Sequence, residues 1–348
     1  MAWEQTLITI LLWFGVYAIV AISLNIEYGY GGIPNFGRAF AILIGALAVG
    51  AIVNRIFIAI TGVNGVTYSA ASGFAKSKID ALISTNPAYG ILILLFCVAL
   101  AAILGAIFGA IFILPSAKLK SDYLAITLLA ISEVSFIISY YNTDLVGGYY
   151  GTPTPNVLAF IPGESRELAY TILMLLFAAL IFLLAERLMN SPYGRLLKAM
   201  REDEDVVESF GKDVMKIRIK TVALGSSLAA VVGALYTLYA GNVSGVVNLF
   251  ARVNWTFYPF LMVLLGGMAN NRGVLAGAFL FVAVWRLLDQ YKHEIAAFLN
   301  LPFDVNWLQY IIFGALMILV LYYRPEGLIK EQPIRTEPIK EIKARKKA

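Results

Sequence analysis

Cysteine, histidine and charge are scarce in this sequence. The one cysteine, Cys97, lies inside an apolar run, which excludes an intrachain disulfide and a thiolate metal cluster. The one histidine, His293, leaves no HExxH pair, no His-Cys zinc set and no Ser-His-Asp triad. Flanked by Lys292 and Glu294, it reads as a solvated loop residue. A phosphate-binding GxxxxGK[ST] loop is missing, because Gly211-Lys212 is followed by Asp213 and lacks the earlier glycine. Any ATP that drives this protein is therefore bound by another chain. Only 14% of the residues are charged, against about 25% in ordinary globular chains.

What the chain has instead is long apolar runs. Of its 348 residues, 60% are hydrophobic, and residues 7–26 and 88–114 carry no charge at all. A run of about 18 or more such residues reads as a membrane-spanning helix. The bilayer then does the solvating, and helix packing sets the fold. Spans are expected at 7–26, 39–60, 88–114, 123–141, 168–185, 221–240, 253–268, 273–285 or a little beyond, and 305–323. The fold class is an all-α polytopic transmembrane bundle of about nine spans. Glu4 precedes the first run with no Lys or Arg, so that run reads as a retained span rather than a cleaved leader.

The net charge of +5 reflects topology and not nucleic-acid binding. Eight of the 27 Lys and Arg lie in 187–220 and eight more in 324–347. The positive-inside rule puts both segments in the cytoplasm. An even number of crossings must then separate them, which requires residues 255–285 to make two passes around Asn270-Asn271-Arg272-Gly273. Five crossings precede the first basic segment, so the N-terminus is expected outside and the C-terminus inside. Arg38, Lys118, Lys120 and Arg272 also fall inside in this layout, for 20 of the 27. Both passes of the 253–291 hairpin are short for a core of about 30 Å, which keeps re-entrant geometry open there.

Ala101, Gly105 and Gly109 recur every four residues, as do Gly225, Ala229 and Gly233, and Gly273 and Gly277. Each set makes a smooth stripe on one helix face, suited to tight packing within the chain or to a subunit interface. Residues 1–329 form one transmembrane domain. The tail 330–348, rich in Lys, Glu and Pro, reads as a flexible cytoplasmic end able to touch anionic lipid.

The loop 190–215 is the most informative segment. Ser191-Pro192 is a helix start, a hydroxyl cap followed by a residue that needs no N–H in the first turn. Tyr193, Leu196, Leu197 and Met200 follow at helical spacing and share a side, with Arg195, Lys198 and Arg201 elsewhere. Val206, Val207 and Phe210 belong to a second short helix, which Gly211 ends in a left-handed conformation. The pair could lie on the inner leaflet, but Asp203, Glu204, Asp205 and Glu208 would be repelled by anionic lipid. A protein groove that accepts the apolar face fits better.

The run SPYGRLLKAMREDEDVVESFGKDVMKIRIK resembles the cytoplasmic docking loop of the permeases of ATP-binding-cassette importers, in particular the branched-chain amino-acid permease family, with Gly211 on the motif's glycine. Four further stretches resemble that family in the same order. They are Leu24-Asn25 with Gly29-Tyr30-Gly31-Gly32, Tyr123-Leu124-Ala125 with Glu133 and Gly147-Gly148, Leu264-Leu265-Gly266-Gly267-Met268 with Gly273, and Arg324-Pro325-Glu326-Gly327-Leu328. There are departures too: Val206-Val207 replaces a pair of alanines, and Ile33-Pro34-Asn35-Phe36-Gly37-Arg38 stands where relatives carry a Gln-Leu-Ser-Leu-Gly-His type sequence.

The resemblance implies a plasma-membrane import subunit and not an enzyme. Its partners would be two ATPases that use ATP and Mg, a second homologous permease or a copy of this chain, and an extracellular binding protein. This chain itself would bind no cofactor, metal or nucleic acid. The cargo would be branched-chain amino acids, with other amino acids, urea or short amides as alternatives. A rival class, the ion-driven secondary transporter, would spread ionisable residues over several spans, whereas Glu133 stands nearly alone.

ATPase coupling is expected at Ser191, Pro192, Tyr193, Gly194, Leu196, Leu197, Met200, Glu208, Phe210 and Gly211. The translocation pathway is expected at Asn25, Gly29, Gly31, Gly32, Glu133, Gly147, Gly148, Gly266 and Gly267. Glu133 could lie near the substrate amine or anchor a hydrogen bond to Ser132 or Ser135. The break at 29–37 could hold substrate or simply turn the chain, and 142–155 could form an outer mouth or a rigid loop.

Overall fold

The computed structural model describes residues 2–63, 67–243, 251–299, 307–324 and 326–331. Helix α1 (Ala2–Leu24) runs on as a π-helical turn, Asn25–Tyr30. Helix α2 (Arg38–Leu47), a second π turn (Ala48–Val53) and α3 (Asn54–Thr61) make the next rod. Then come α4 (Tyr68–Thr85), α5 (Pro87–Ile113), α6 (Ser121–Tyr141), the single turn α7 (Thr143–Val146) and α8 (Gly163–Met189). The loop helices α9 (Pro192–Glu202) and α10 (Glu204–Ser209) precede α11 (Val214–Ala240). A π turn (Val253–Phe257) leads into α12 (Tyr258–Gly266), followed by α13 (Asn271–Leu299) and α14 (Leu308–Tyr323).

Seven of these rods are long and apolar enough to cross a membrane, and Val253–Gly266 and Leu308–Val320 are shorter apolar helices. The protein is an all-α polytopic helical bundle. The only sheet among the described residues is a two-residue ribbon, β1 (Thr152–Pro153) with β2 (Asn242–Val243), antiparallel.

Helix α11 sits at the centre, packed on α5, α2 and α1. The small-residue stripes explain how it fits. Gly105 and Gly109 of α5 lie against Ser226 and Ala230 of α11, while Gly45 meets the Ala230 carbonyl and Gly233 the Ile42 carbonyl. Gly273 and Gly277 pack on Gly266 and Met262 in the same way. A Cβ at any of these glycines would enter its neighbour, so the stripes serve packing within one chain. The outward faces of α5 and α8 stay apolar, with Leu95, Ile103 and Leu176 exposed.

Several expectations need correction. Between the expected spans 39–60 and 88–114 lies a further helix, α4, whose Lys76 ammonium donates to the Thr154 carbonyl at 2.7 Å and ties it to the ribbon. His293 is exposed but helical, since α13 continues 14 residues past the expected end at Trp285. Of the 253–291 hairpin, only the first limb is short. Gly29 belongs to the helix, and the break starts at Gly31. Arg38 is not a surface charge but fully buried. The segment after Tyr323 does not hang free: Leu328 N–H donates to the Leu265 carbonyl (2.8 Å) and Ile329 N–H to the Gly266 carbonyl (3.1 Å). The expected boundary at 329 cuts through this contact, because Lys330 and Glu331 are also held. The rest of the tail, 332–348, lies outside the described residues, as do 305–306 of the last expected span.

Candidate functional site

Three caps build the loop after α8. The Ser191 hydroxyl accepts from Tyr193 N–H at 3.2 Å and donates to the Leu188 carbonyl at 2.6 Å, with Pro192 next. The Asp203 carboxylate accepts from Val206 N–H (3.1 Å) and starts α10, and that of Asp213 accepts from Lys216 N–H (3.0 Å) and starts α11. The Lys216 backbone bond, with the Lys216 ammonium, holds the Asp213 carboxyl below its ordinary range. Gly211 ends α10 at φ +73° with open space around its Cα. A capped helix is fixed in direction at its first turn, so α8, α9, α10 and α11 form one stiff bracket.

The apolar side of α9 faces the chain itself, which corrects the expectation that it meets a partner. Leu197 and Met200 are buried, Tyr193 Oη lies 2.8 Å from Thr221 Oγ1, and Leu196 packs partly buried on the same core. Gly194 sits on the Met189 carbonyl where a Cβ would not fit. Exposed apolar surface is left on α10 and its C-cap, where Val206 is 48% and Phe210 79% accessible, with Glu208 exposed between them. Arg218 anchors this unit, donating to Glu204 (2.7 Å) and to the Ala117 carbonyl (2.7 Å) at the α5–α6 corner.

Beneath α9 lies a polar junction. Arg201 donates to the Gly29 carbonyl (2.6 Å) and pairs with Glu331 (2.8 Å), which also pairs with Lys198 (2.7 Å). The Asn25 amide donates to Asn271 Oδ1 (2.9 Å), and its oxygen accepts from Ala269 N–H (3.0 Å). Gly32 (φ +66°) lies against the Arg201 side chain, and Gly267 (φ +113°) against the backbone of Glu326 and Ile329. Asn25, Gly29, Gly31, Gly32, Gly266 and Gly267 therefore gather at one junction of α1, the 267–270 turn and the 326–331 segment. Glu133, Gly147 and Gly148 do not join them; Gly147 and Gly148, both at positive φ, close α7.

Sequence reading missed Glu27. Its carboxylate is fully buried, paired with Arg38 (2.7 Å) and accepting from the Asn35 amide (2.8 Å), and Arg38 also donates to the Gly225 carbonyl (2.9 Å). A side chain at Gly225 would enter the Glu27 carboxylate. The available signal was the pair itself, an acid and a base either side of a glycine-rich break, each beside an apolar run. Glu133 anchors neither serine: the Ser135 hydroxyl donates to the Ile131 carbonyl, and the Glu133 carboxylate pairs with Arg252 at 3.0 Å. Among the described residues no cluster of three His, Cys, Asp or Glu side chains could hold a metal.

The sequence profile of the family described as branched-chain amino acid transport system / permease component matches residues 6–321. The chain is 54% identical over 331 residues to the "Probable branched-chain amino acid transport permease protein LivM" of Methanocaldococcus jannaschii, covering 95% of each. It is 26% identical over 258 residues to the high-affinity branched-chain amino acid transport system permease protein LivM of Escherichia coli, covering 67% of this chain and 56% of that one. Over 325 residues it is 23% identical to the permease BraD of the corresponding Pseudomonas aeruginosa system, with coverage of 90% and 91%. No solved structure matches the chain.

Proposed function

The chain belongs to the permease-component family of branched-chain amino acid transport systems, and from that premise we propose how its loop helices and polar junctions work in an ATP-driven importer. The protein is a membrane transport subunit and not an enzyme, and its family implies separate ATPase and substrate-binding partners. In our reading two ATPases take the ATP and Mg, and a second permease, homologous or identical, completes the pore in the plasma membrane.

The same reading has nine crossings, an external N-terminus and a cytoplasmic C-terminus. Two observations support it. The basic loop 187–220 and the basic end share one side through the pairs of Glu331 with Lys198 and Arg201. The short apolar helix α12 packs along α13, as the two passes of this reading would.

The observation that carries the mechanism is the exposed Phe210 on a bracket capped at Ser191, Asp203 and Asp213. An ATPase cleft that grips Phe210 and Val206 pushes a rigid body. The push reaches α11 and the α5–α6 corner through Arg218, α1 through the Arg201 contact with Gly29, and the end of α12 through Glu331 in the C-terminal strap, residues 326–331. Closure of the ATPases would then tilt the central helix α11 against α1 and α2.

Reconstitution tests this. Proteoliposomes carrying the permeases, ATPases and binding protein should accumulate leucine only with ATP, and a cysteine at Phe210 should react with an impermeant maleimide only from the ATPase side. Leucine uptake without the ATPases, or labelling from the opposite side, overturns the reading.

A further inference from the structure

The pair of Glu133 with Arg252 lies where a charge pair has no structural reason to be. Glu133 stands twelve residues into α6 and eight from its end, about 18 Å and 12 Å from the two helix ends at 1.5 Å per residue. Arg252 precedes a five-residue π turn and nine α-helical residues, which together rise only about 21 Å from the 267–270 turn. A hydrocarbon core of about 30 Å is deeper than that, so both charges sit at membrane depth.

They are not enclosed either. Glu133 is 30% and Arg252 53% accessible, beside the exposed apolar Val134 and Ile137. Facing lipid, each charge would cost at least about 2.5 kcal/mol. The face that carries them must therefore meet water or protein. Among the described residues the contact uses one oxygen of Glu133 and one terminal nitrogen of Arg252. The second carboxylate oxygen and the rest of the guanidinium fork remain for a ligand.

We propose that Glu133 and Arg252 line the water-filled pathway and form a passing site for the zwitterionic head group of the transported amino acid. The inference rests on the transport reading above and adds the place and chemistry of contact. The fork of Arg252 matches an α-carboxylate at two points, and Glu133 takes the α-ammonium. The pair is neutral overall, so a neutral zwitterion exchanges with it without net charge transfer, while a simple cation or anion leaves one member unpaired. The side chain of the cargo lies along the apolar wall of α6 beside it.

The complete reconstituted complex provides the test in three arms. Ile137→Cys, one turn from Glu133 on the same face, should be modified by a charged, impermeant methanethiosulfonate reagent, and modification should block uptake; Cys97 is buried and serves as the silent control. No modification means that lipid or the second permease covers this face, which overturns the proposal.

In the second arm, the double variant Glu133→Gln/Arg252→Gln leaves no unpaired charge, so a merely structural pair would tolerate it. We expect leucine uptake to fall at least about tenfold while ATP hydrolysis stimulated by the binding protein continues. Uptake within about twofold of the parent overturns the proposal even if Ile137→Cys is labelled. In the third arm, Arg252→Lys keeps the charge and loses only the fork; it should lower uptake severalfold, and unchanged uptake counts against the site whether or not the double variant assembles. Failure of the parent complex to take up leucine would instead sink the transport reading, while the labelling result would still report on water at this face.

Discussion

Arg201 on the loop helix α9 donates to the carbonyl of Gly29 in the last turn of the first membrane helix, 172 residues earlier in the chain. Through this bond a displacement of the loop bracket reaches α1 directly. The same guanidinium holds Glu331, so α1, α9 and the C-terminal strap share one side chain.

Replacing Arg201 with Gln should leave the complex assembled but poorly coupled. The expected outcome in proteoliposomes is ATP hydrolysis near the parental rate with uptake reduced severalfold. Glu331→Lys, which sets three cations together, should act in the same direction. Parental uptake per ATP hydrolysed in both variants would argue against this link.

The two faces of the bracket should respond differently to mutation. Phe210→Ala or Val206→Asp should abolish co-purification of the ATPases while the permease stays folded, because these side chains touch little of their own chain. Leu197→Ala should instead cost about 2–5 kcal/mol of permease stability, through the cavity it leaves. Thermal unfolding in detergent and pull-down with tagged ATPase separate the two outcomes.

Two glycines of the loop should also part company. Gly211 has open space around it and needs only a left-handed backbone, so Gly211→Asn should be nearly neutral and Gly211→Ala should cost about 1 kcal/mol. Gly194 has ordinary helical geometry but no room above the Met189 carbonyl, and Gly194→Ala should displace α9 and lower both stability and transport. Equal tolerance at the two positions would contradict the packing described.

Breaking the buried pair of Glu27 with Arg38 from one side should be severe. Glu27→Gln leaves an unpaired guanidinium, at a cost of about 3–5 kcal/mol, read as a lower unfolding temperature and lower yield. Glu27→Gln/Arg38→Gln should recover part of the loss, and Gly225→Ala should mimic the single variant by crowding the carboxylate. A harmless Glu27→Gln would show that the carboxylate is already neutral there.

Much of the bracket was legible before any coordinates. Ser191-Pro192 and Gly211 are local signals, because a cap depends on the few residues around it, and α9 starts and α10 stops where those signals stand; the Asp203 cap between them was not read. The direction of the α9 face was not legible. Helical spacing groups Tyr193, Leu196, Leu197 and Met200 on one side, but a stripe of this kind is the same whether it meets a partner or its own chain. Arg38 and the start of the tail, Lys330 and Glu331, were misread for a related reason, since counting basic residues by segment treats every Lys and Arg as exposed.

By itself the amino-acid sequence determined the class of the molecule: apolar runs long enough for a bilayer, basic residues gathered in two segments, and a loop helix that starts at its own cap. All of these depend on neighbours within a few turns of chain. Only the tertiary structure decided which charges pair, Glu27 with Arg38, Glu133 with Arg252 and Arg201 with Glu331. It also decided that α10, and not α9, presents the exposed apolar surface. Partners at separations of 11 to 130 residues are set by how helices stack, and stacking depends on where glycine stripes let backbones approach, a property of helix pairs and not of any one segment.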